Sequence, residues 1–516
     1  MGERTVHDRR WWILGTLVLS LMVVVLDNTV LNVALKTIQQ DLGATQSELA
    51  WAVNSYTLVF SGLLFTYGVL GDRYGRRLAL VVGLVLFGLA SVLSAFSSSP
   101  EALIAARALM GIGGAAVMPS TLSIISNVFE PAERGRAIGI WAGFTGTAVA
   151  VGPVLGGLLL EHFWWGSVFL VNVPVVLVAL AVTLWLVPES KDPDPQGLDP
   201  VGVVLSIVGL VLLVYGIIKG GETTEWTSAV VLGPLLGGIA VLAAFVALQR
   251  RSRAPMLDVT LFRNPAFSAA SAAVTLSMFS LFGTVFFVSF YLQYARDLTP
   301  LQAGLSFVPV AVGLSFFAPR SAALVARFGA KAVCAGGLAL VTLSFGGYRF
   351  IDEQTPIVVV LALLLLQGTG MAHIIAPATE SIMSTLPRER AGAGSAVNTT
   401  LRQVGGALGV AILGSVLSAS YRSGITPALA GLPDAARETA AESIGGTDLV
   451  AAQLPEAARS VLEAAGVQAF VGAMHATALG SALVAAIGAA VVLRWLPGRP
   501  AAVPAPPEPE RREVAA

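Results

Sequence analysis

Charged residues are scarce in this sequence. Asp, Glu, Lys and Arg make up only 12% of the 516 residues, whereas a soluble protein carries about 25%. So few charges cannot cover a water-facing surface of this size, and 55% of the residues are hydrophobic, with a mean hydropathy of +0.78. Most of the chain is therefore expected to lie in lipid or against other apolar helices.

Several classes of function are excluded by what is missing. The 31 basic and 31 acidic residues cancel, and no long basic block is interleaved with aromatic residues, so nucleic-acid binding has no electrostatic basis. The single cysteine, Cys334, excludes an internal disulfide, a CxxC redox pair and a cysteine-based zinc site. Because HExxH, GxSxG and clustered Asp/His motifs are also missing, we expect neither an enzyme nor a bound cofactor.

The sequence contains fourteen apolar runs long enough to cross a membrane as helices, each of which needs about 20 residues. The first run contains Asp27 and lacks a small-residue cleavage site, so we interpret it as an uncleaved span rather than a signal peptide. The predicted fold is therefore an all-α polytopic membrane protein. Its spans fall near 11–34, 49–70, 78–97, 101–126, 136–160, 166–187, 201–219, 229–248, 266–292, 301–319, 331–348, 356–384, 392–419 and 468–496.

Arginine and lysine predict the orientation, because they accumulate on the cytoplasmic side of a membrane. An even number of spans places both termini on one side. With the termini inside, the cytoplasmic segments hold 22 Arg and Lys residues and the outer segments hold 7, while Arg107 and Arg402 lie within spans. We expect a multi-pass protein of the cytoplasmic (inner) membrane with both termini in the cytoplasm.

The outer spans form two similar halves. PAERGRA at 131–137 recurs as PRERAGA at 387–393, and RYGRR at 73–77 recurs as RFGAK at 327–331, at offsets of 256 and 254 residues. Two six-helix repeats around a central cavity are typical of transporters. The predicted segments are a six-helix bundle at 1–190, a linker with two additional spans at 191–265, a second six-helix bundle at 266–496 and a disordered cytoplasmic tail at 497–516.

The second bundle contains an outer loop at 420–468 that is rich in Ala and Glu. This composition predicts short surface helices. We interpret the loop as a solvated cap or spacer, and a role in gathering substrate is the alternative.

Two charges inside predicted spans require a partner or a function, because a charge in an apolar span costs at least a few kcal/mol. Asp27 lies in the first span, and Asn28 and Asn32 share its helix face, which predicts a polar strip that binds substrate or assists coupling. Arg107 lies in the fourth span and acts as a fixed positive charge, since it keeps its proton. We expect Asp27 and Arg107 to pair and to couple proton movement to transport. A purely structural ion pair is the alternative.

The twelfth span contains a second set of ionisable candidates. His373 and Glu380 are seven residues, or two turns, apart on roughly one helix face. Glu380 is a candidate for coupling or for binding a cationic substrate, and His373 is a candidate for binding. The alternatives are a carboxylate at headgroup level and a histidine satisfied by neighbouring backbone.

Two glycine-containing segments predict conformational switches. In GDRYGRR (71–77), Asp72 is expected to cap the positive end of a neighbouring helix beside a sharp turn at Gly75, while Arg73 and Arg76 meet anionic headgroups. Topology anchoring alone is the alternative for these arginines. In the fifth span, a glycine-proline run predicts a hinge and a close helix interface. The hinge residues are Gly152, Pro153, Gly156 and Gly157.

Together these motifs resemble the major facilitator superfamily, and the count of fourteen spans resembles its drug:proton antiporter branch. LDNTVLNVAL resembles the branch's first-span motif, whose acid corresponds to Asp27, and RALMGIGGAA resembles the fourth-span motif whose arginine is linked to proton movement. GDRYGRR resembles the superfamily's loop motif, and AVAVGPVLGG resembles the fifth-span motif of antiporters. Two positions depart from these motifs: Lys36 stands in place of the usual proline, and Ala148 in place of the usual glycine.

The resemblance implies a proton-coupled secondary transporter that exports hydrophobic or amphipathic small molecules, such as drugs and antibiotics, by alternating access. Proton-coupled import of a small metabolite is the alternative, and the fifth-span motif favours export. The implied partners are a small-molecule substrate, protons and the lipid bilayer. We expect a monomer that needs no cofactor besides the proton gradient.

Overall fold

The computed structural model is helical throughout the residues that it describes, which are 3–191, 197, 199–252, 255, 257–384 and 391–497, and these ranges contain no strand. The predicted tail lies outside the described residues from 498 onward. Residues 192–196, 198, 253, 254 and 256 of the linker also lie outside the described residues. So do residues 385–390 of the second repeat, which include Arg388 and Arg390.

The first half consists of helices α1 to α7, several of which begin at a clear capping signal. Thr45 and Glu48 form a capping box at the start of α2, and Ser99 accepts a hydrogen bond from the amide of Ala102 (3.2 Å) at the start of α4. The bounds are α1 (Glu3–Leu42), α2 (Gln46–Tyr74), α3 (Arg76–Ala95), α4 (Pro100–Val128), α5 (Pro131–His162), α6 (Ser167–Leu170) and α7 (Asn172–Leu186).

Capping residues also mark the starts of helices in the linker and in the second half. Asp199 caps the amide of Gly202 (2.8 Å) where the first linker helix begins, and Thr299 and Gln302 form a second capping box. The helices are α8 (Pro200–Thr223), α9 (Ala229–Gln249), α10 (Pro265–Phe290), α11 (Pro300–Ser306), α12 (Val308–Tyr348), α13 (Ile357–Ser384), α14 (Ala391–Ile425), α15 (Asp434–Glu442), α16 (Ile444–Ala451) and α17 (Glu456–Trp495). Shorter helical turns lie at Val259–Arg263, Tyr291–Ala295 and Thr426–Leu429.

Within the described chain, twelve helical segments are long and apolar enough to cross a membrane, and α2, bent by 49° between Gln46–Leu64 and Thr66–Tyr74, makes thirteen. Helix α5 occupies the place of the fifth predicted span. The prediction of an all-helical polytopic membrane fold is confirmed. The count of fourteen spans stays a prediction.

The two halves pack in the same way. Helix α1 lies against α4 and α5 in the first half, and α10 lies against α13 and α14 in the second. Gly75 and Gly329 occupy equivalent positions of the sequence repeat, and both have a positive φ, +134° and +81°. Glycine adopts such angles most readily. The shared turn between the second and third spans of each half fits the internal repeat.

We call the end of the bundle that carries residues 426–455 the loop face, and the opposite end, where α1 begins and α17 ends, the terminal face. The two halves are in contact at the loop face. The hydroxyl of Thr299 donates to Glu161 Oε1 (2.7 Å) across the gap between α11 and α5. These helices meet backbone to backbone, because a Cβ on Gly157 would lie 2.5 Å from the Cα of Leu301. The structure is therefore closed at this face.

The additional helices α8 and α9 lie at the seam between the halves. Helix α8 contacts both α2 and α14, and Ser415 Oγ donates to the carbonyl oxygen of Ile217 (2.8 Å). Helix α9 packs against α8 and is the least buried of the candidate spans. The pair forms a hairpin on the outside of the two halves.

The outer loop is shorter than predicted. Helix α14 runs to Ile425 and α17 begins at Glu456, so the loop covers 426–455 instead of 420–468. The reason is that the Ala- and Glu-rich flank of the last span continues the helix beyond its apolar stretch. The expected short helices are present as α15 and α16, and most of α16 is buried rather than solvated.

Candidate functional site

Asp27 of α1 and Arg107 of α4 form an ion pair through Oδ2 and Nη1. Each side chain is only 1% exposed. Glycines let α4 approach its neighbour α2 closely: a Cβ on Gly111 would lie 2.6 Å from the carbonyl oxygen of Tyr56, and one on Gly114 would lie 2.7 Å from the Tyr56 hydroxyl. The structure thus brings the two predicted residues together, while their role in proton transfer stays a prediction.

Groups other than Asp27 also hold the guanidinium of Arg107. Its Nε donates to the carbonyl oxygen of Ala52 (3.2 Å), and its Cζ lies 4.6 Å from the ring centre of Tyr56 and 5.8 Å from that of Phe169. Aromatic faces attract cations, most strongly where water is excluded. Arg107 is therefore fixed by α2 and α6 even without its carboxylate partner.

A residue that the sequence analysis did not single out binds the second carboxylate oxygen. Asn172, the first residue of α7, donates from Nδ2 to Asp27 Oδ1 (3.1 Å), and the same nitrogen lies 3.4 Å from Ser91 Oγ on α3. Asn172 is 3% exposed. The two oxygens of Asp27 are thus held by different helices, α4 and α7. The signal that could have identified Asn172 is an amide inside an otherwise apolar run, where a polar side chain needs a partner.

In the predicted polar strip next to Asp27, the side-chain amides of Asn28 and Asn32 donate to backbone carbonyl oxygens of their own helix, α1. Asn28 Nδ2 donates to the carbonyl oxygen of Val24 (3.1 Å), and Asn32 Nδ2 donates to that of Asn28 (3.0 Å). Asn32 is buried, and its Oδ1 has no hydrogen-bond partner among the described residues. A role of Asn28 or Asn32 in substrate binding stays a prediction.

His373 and Glu380 of α13 differ in their surroundings. His373 is buried, and its Nδ1 lies 2.7 Å from the carbonyl oxygen of Thr369 one turn earlier, which fits the alternative of a histidine satisfied by backbone. Glu380 lies near the terminal face and is exposed. The structure does not bring these two candidates to the Asp27 site, and their proposed roles stay predictions.

The turn at Gly75 shows a different capping arrangement from the one expected. Asp72 accepts a hydrogen bond from Arg76 Nε (2.8 Å) instead of capping a helix. Glu189, from the segment after α7, caps α3 by accepting from the backbone amides of Arg77 (3.1 Å) and Leu78 (3.2 Å). Glu189 reaches this position because Gly75 has no side chain, and a Cβ there would lie 2.7 Å from the Glu189 carboxyl group. Arg73, the other predicted switch residue, is exposed, with its Cζ 5.7 Å from the ring centre of Tyr74.

The glycine-proline run of the fifth span forms the close helix interface that its composition predicts. Gly152 and Gly156 lie against Thr29 and Val30 of α1, whereas Gly157 lies against α11 of the other half. Pro153 is inside α5, and its carbonyl oxygen lies against Gly304 of α11. The run therefore contacts both halves, and its action as a hinge stays a prediction.

The paired charges in α1 and α4, the glycine turn and the repeated halves can be compared with known proteins. A sequence profile of the Major Facilitator Superfamily matches residues 17–410. The chain belongs to the Major Facilitator Superfamily. The multidrug efflux pump LfrA of Mycolicibacterium smegmatis is 38% identical over 94% of this chain and 96% of LfrA. The methyl viologen resistance protein SmvA of Salmonella typhimurium is 37% identical over 92% of this chain and 95% of SmvA.

A solved structure also matches the whole fold. A bacterial homologue of the human lysosomal transporter Spinster, in an inward-facing and unoccupied conformation, has a TM-score of 0.67 and 17% identity and covers 96% of this chain and 99% of its own. This likeness shows the fold. Membership of the superfamily makes the chain a multi-pass membrane transporter of small molecules rather than an enzyme, which confirms the expectation from its sequence.

Proposed function

We propose that this member of the Major Facilitator Superfamily exports hydrophobic or amphipathic small molecules, drugs and antibiotics among them, in exchange for protons. The observation that carries the proposal is the buried pair of Asp27 and Arg107, completed by Asn172. Two relatives that match nearly the whole chain are named for multidrug efflux and for methyl viologen resistance, which supports the export of drugs.

A buried ion pair is a poor device for stability alone, because a well-packed apolar pair of similar volume is often at least as stable. Protonation of Asp27 would remove its negative charge and with it the attraction to Arg107. The guanidinium would keep its contacts with Ala52 and Tyr56. Proton uptake would therefore free α1 from α4 and leave the rest of the site intact, as a coupling residue requires.

The closed loop face supports a specific place for this state in the proposed transport cycle. We infer that the terminal face is cytoplasmic, because the distribution of arginine and lysine predicts it. With Asp27 paired and the loop face closed, substrate would enter from the cytoplasm. After the change of access, substrate would leave outside and Asp27 would take up a proton. The return step would deliver this proton to the cytoplasm as the pair with Arg107 forms again.

Proton release from detergent-solubilised protein on addition of methyl viologen tests the coupling residue. We expect release from the unmodified protein, no release from Asp27→Asn, which preserves shape but cannot ionise, and partial activity from Asp27→Glu. Asp434→Asn is the matched control, because that carboxylate is 97% exposed and, among the residues that the structure describes, pairs with Arg437 of its own helix. An Asp27→Asn protein that still releases protons and exports against a gradient would move the coupling role to Glu380 or Asp72.

Cysteine labelling in intact cells tests the orientation. In a Cys334→Ala background, we expect an impermeant thiol reagent to label Ala435→Cys on the loop face and to leave Asn264→Cys unlabelled, since both positions are exposed and lie at opposite ends of the bundle. The reverse pattern would overturn the assignment of the terminal face to the cytoplasm.

Dye accumulation distinguishes export from the alternative of proton-coupled import. In a host without other pumps, export lowers the steady-state content of a lipophilic cationic dye, and the Asp27→Asn variant should abolish this decrease. A protein-dependent increase in accumulation that requires the proton gradient would favour import instead.

A further inference from the structure

The segment 426–455, which we call the cap, is folded onto the second half. Thr447 of α16 is at its centre: its hydroxyl is 2.6 Å from the hydroxyl of Tyr421 on α14 and donates to the carbonyl oxygen of Ala440 (2.8 Å). Gly466 of α17 lies so close that a Cβ there would be 2.9 Å from Thr447 Cγ2. The cap is thus anchored to both helices between which it is inserted.

The cap also binds the first half, through Gln39 near the end of α1. Gln39 Nε2 donates to Ser443 Oγ of the cap (3.0 Å), and Gln39 Oε1 accepts from the hydroxyl of Tyr294, which follows α10 (3.1 Å). Gln39 is only 1% exposed. Both ends of its amide group therefore bind the opposite half, and separation of the halves would leave a buried polar group to find new partners.

Lys36, one turn before Gln39, makes a second connection. Its Nζ donates to the carbonyl oxygen of Gln293 (2.6 Å) and lies 4.4 Å from the ring centre of Tyr294. Asp448 of the cap and Asp297 lie near enough to attract its positive charge. Lys36 is also the position at which the sequence departs from the proline of the first-span motif. A proline could make none of these contacts.

We propose that the cap, together with Gln39 and Lys36, is a latch that holds α1 against the second half and stabilises the state closed at the loop face. The latch does not depend on the proposed coupling residue or substrate, because it requires only that the two halves separate at the loop face during transport. Undocking of Gln39 and Lys36 from the second half would then be part of opening this face. The proposal gives the outer loop a conformational role instead of that of a solvated spacer.

Spin-label distances across the loop face test the latch. Glu101 and Gln354 are exposed at the loop ends of the first and second halves, so labels on Glu101→Cys and Gln354→Cys, in a Cys334→Ala background, report opening as a longer distance. We expect Gln39→Leu, which removes two hydrogen bonds, to raise the ratio of open to closed protein on the order of tenfold. Lys36→Met should act in the same direction without touching the fold of the cap.

Two comparisons keep the test decisive. Gln453→Leu is the matched control, because Gln453 is exposed in the turn after α16 and its side chain, within the described part of the chain, donates to the carbonyl oxygen of Leu449 in the cap itself (3.4 Å). Ser443→Ala should open the loop face less than Gln39→Leu, because it leaves the hydrogen bond from Tyr294 to Gln39 in place. The double variant should add little to Gln39→Leu, since the two residues share one bond. If Gln39→Leu and Lys36→Met both leave the distances as in the Gln453→Leu control, the cap is not a latch.

Discussion

Gly157 is the position where a single methyl group should change which face of the transporter is closed. A Cβ at this glycine of α5 would lie 2.5 Å from the Cα of Leu301 and 2.6 Å from the carbonyl oxygen of Pro300, both in α11 of the other half. The obstructing atoms are backbone, so no side-chain rotation can relieve the contact. Gly157→Ala should therefore disfavour the closed loop face, whereas the state open at that face has no such contact.

The size of the effect follows from the cost of overpacking. Extra methyl groups in a tightly packed interface cost about 1–3 kcal/mol, which corresponds to about a 5- to 150-fold change in a two-state equilibrium. Alanine also favours a helix over glycine by about 1 kcal/mol. This gain is the same in both states of a folded helix and does not affect the ratio of open to closed protein.

The spin-label pair at Glu101→Cys and Gln354→Cys measures this ratio. Gly336→Ala is the matched control, because Gly336 is an exposed glycine inside a helix and a Cβ there would meet no atom of the described chain within 4 Å. Gly152→Ala is a second comparison: its Cβ would collide with Thr29 of the same half, so it should lower stability without a specific opening of the loop face. Distances in Gly157→Ala that match those in Gly336→Ala would show that α5 and α11 do not form the seal.

Two further predictions concern the cap and the hydrogen bond between Asn172 and Asp27 at the proposed coupling site. Burial raises the pKa of Asp448 from its ordinary value of 3.8 to about 6, with Lys36 and Arg459 opposing the rise and Glu463 and Asp297 adding to it. The docked cap thus binds this proton more tightly than the undocked cap, so docking should be strongest below about pH 4 and should weaken as pH rises through about 6. Hydrogen exchange of α16 amides, corrected for intrinsic rates, should show this trend, and Asp448→Asn should remove it; an equal trend in the variant would assign it to another group. At the coupling site, Asn172→Leu should lower the melting temperature in detergent, because it leaves a carboxylate oxygen of Asp27 without its donor, at a cost of about 1–3 kcal/mol. The loss should be smaller in an Asp27→Leu background, and equal losses in both backgrounds would contradict the hydrogen bond.

Features with a high cost in lipid were the ones that the sequence predicted best. The pairing of Asp27 with Arg107 follows from the sequence alone, because each charge needs a partner inside an apolar span. The glycines around Gly157 predicted a close helix contact for a similar reason, since small residues are what allow backbones to approach. Which helices would meet at Gly157 could not be derived, because a glycine leaves room for a neighbour without specifying it.

Hydrogen-bonding residues that are neutral or exposed to solvent were missed, because leaving them without a partner carries a lower cost than leaving a buried charge without one. Asn172 has no charge that requires compensation, and its hydrogen bond to Asp27 spans 145 positions of the chain. Glu189 lies in an acid- and proline-rich stretch that resembles a linker. The sequence therefore does not distinguish a carboxylate that caps α3 from one that only contacts solvent. The contact of Gln39 with Ser443 spans 404 positions and follows no periodic pattern. Such contacts depend on how the halves are assembled.

Helix α1 connects the proposed coupling site to the loop face. Asp27 and Gln39 are on the same unbroken helix, about 18 Å apart at 1.5 Å per residue. At the first position, α1 is held by α4 and α7 of its own half; at the second, it is held by the cap and Tyr294 of the other half. A helix held at two points transmits a tilt from one to the other. In the proposed cycle, the attachment to the cap yields first, as the loop face opens, and the attachment at Asp27 yields afterwards, when Asp27 takes up a proton from outside. In the open state, α1 would then be held at neither point, and both attachments would form again as the loop face closes and the proton passes to the cytoplasm. Protonation of Asp27 would therefore follow the opening of the loop face instead of causing it.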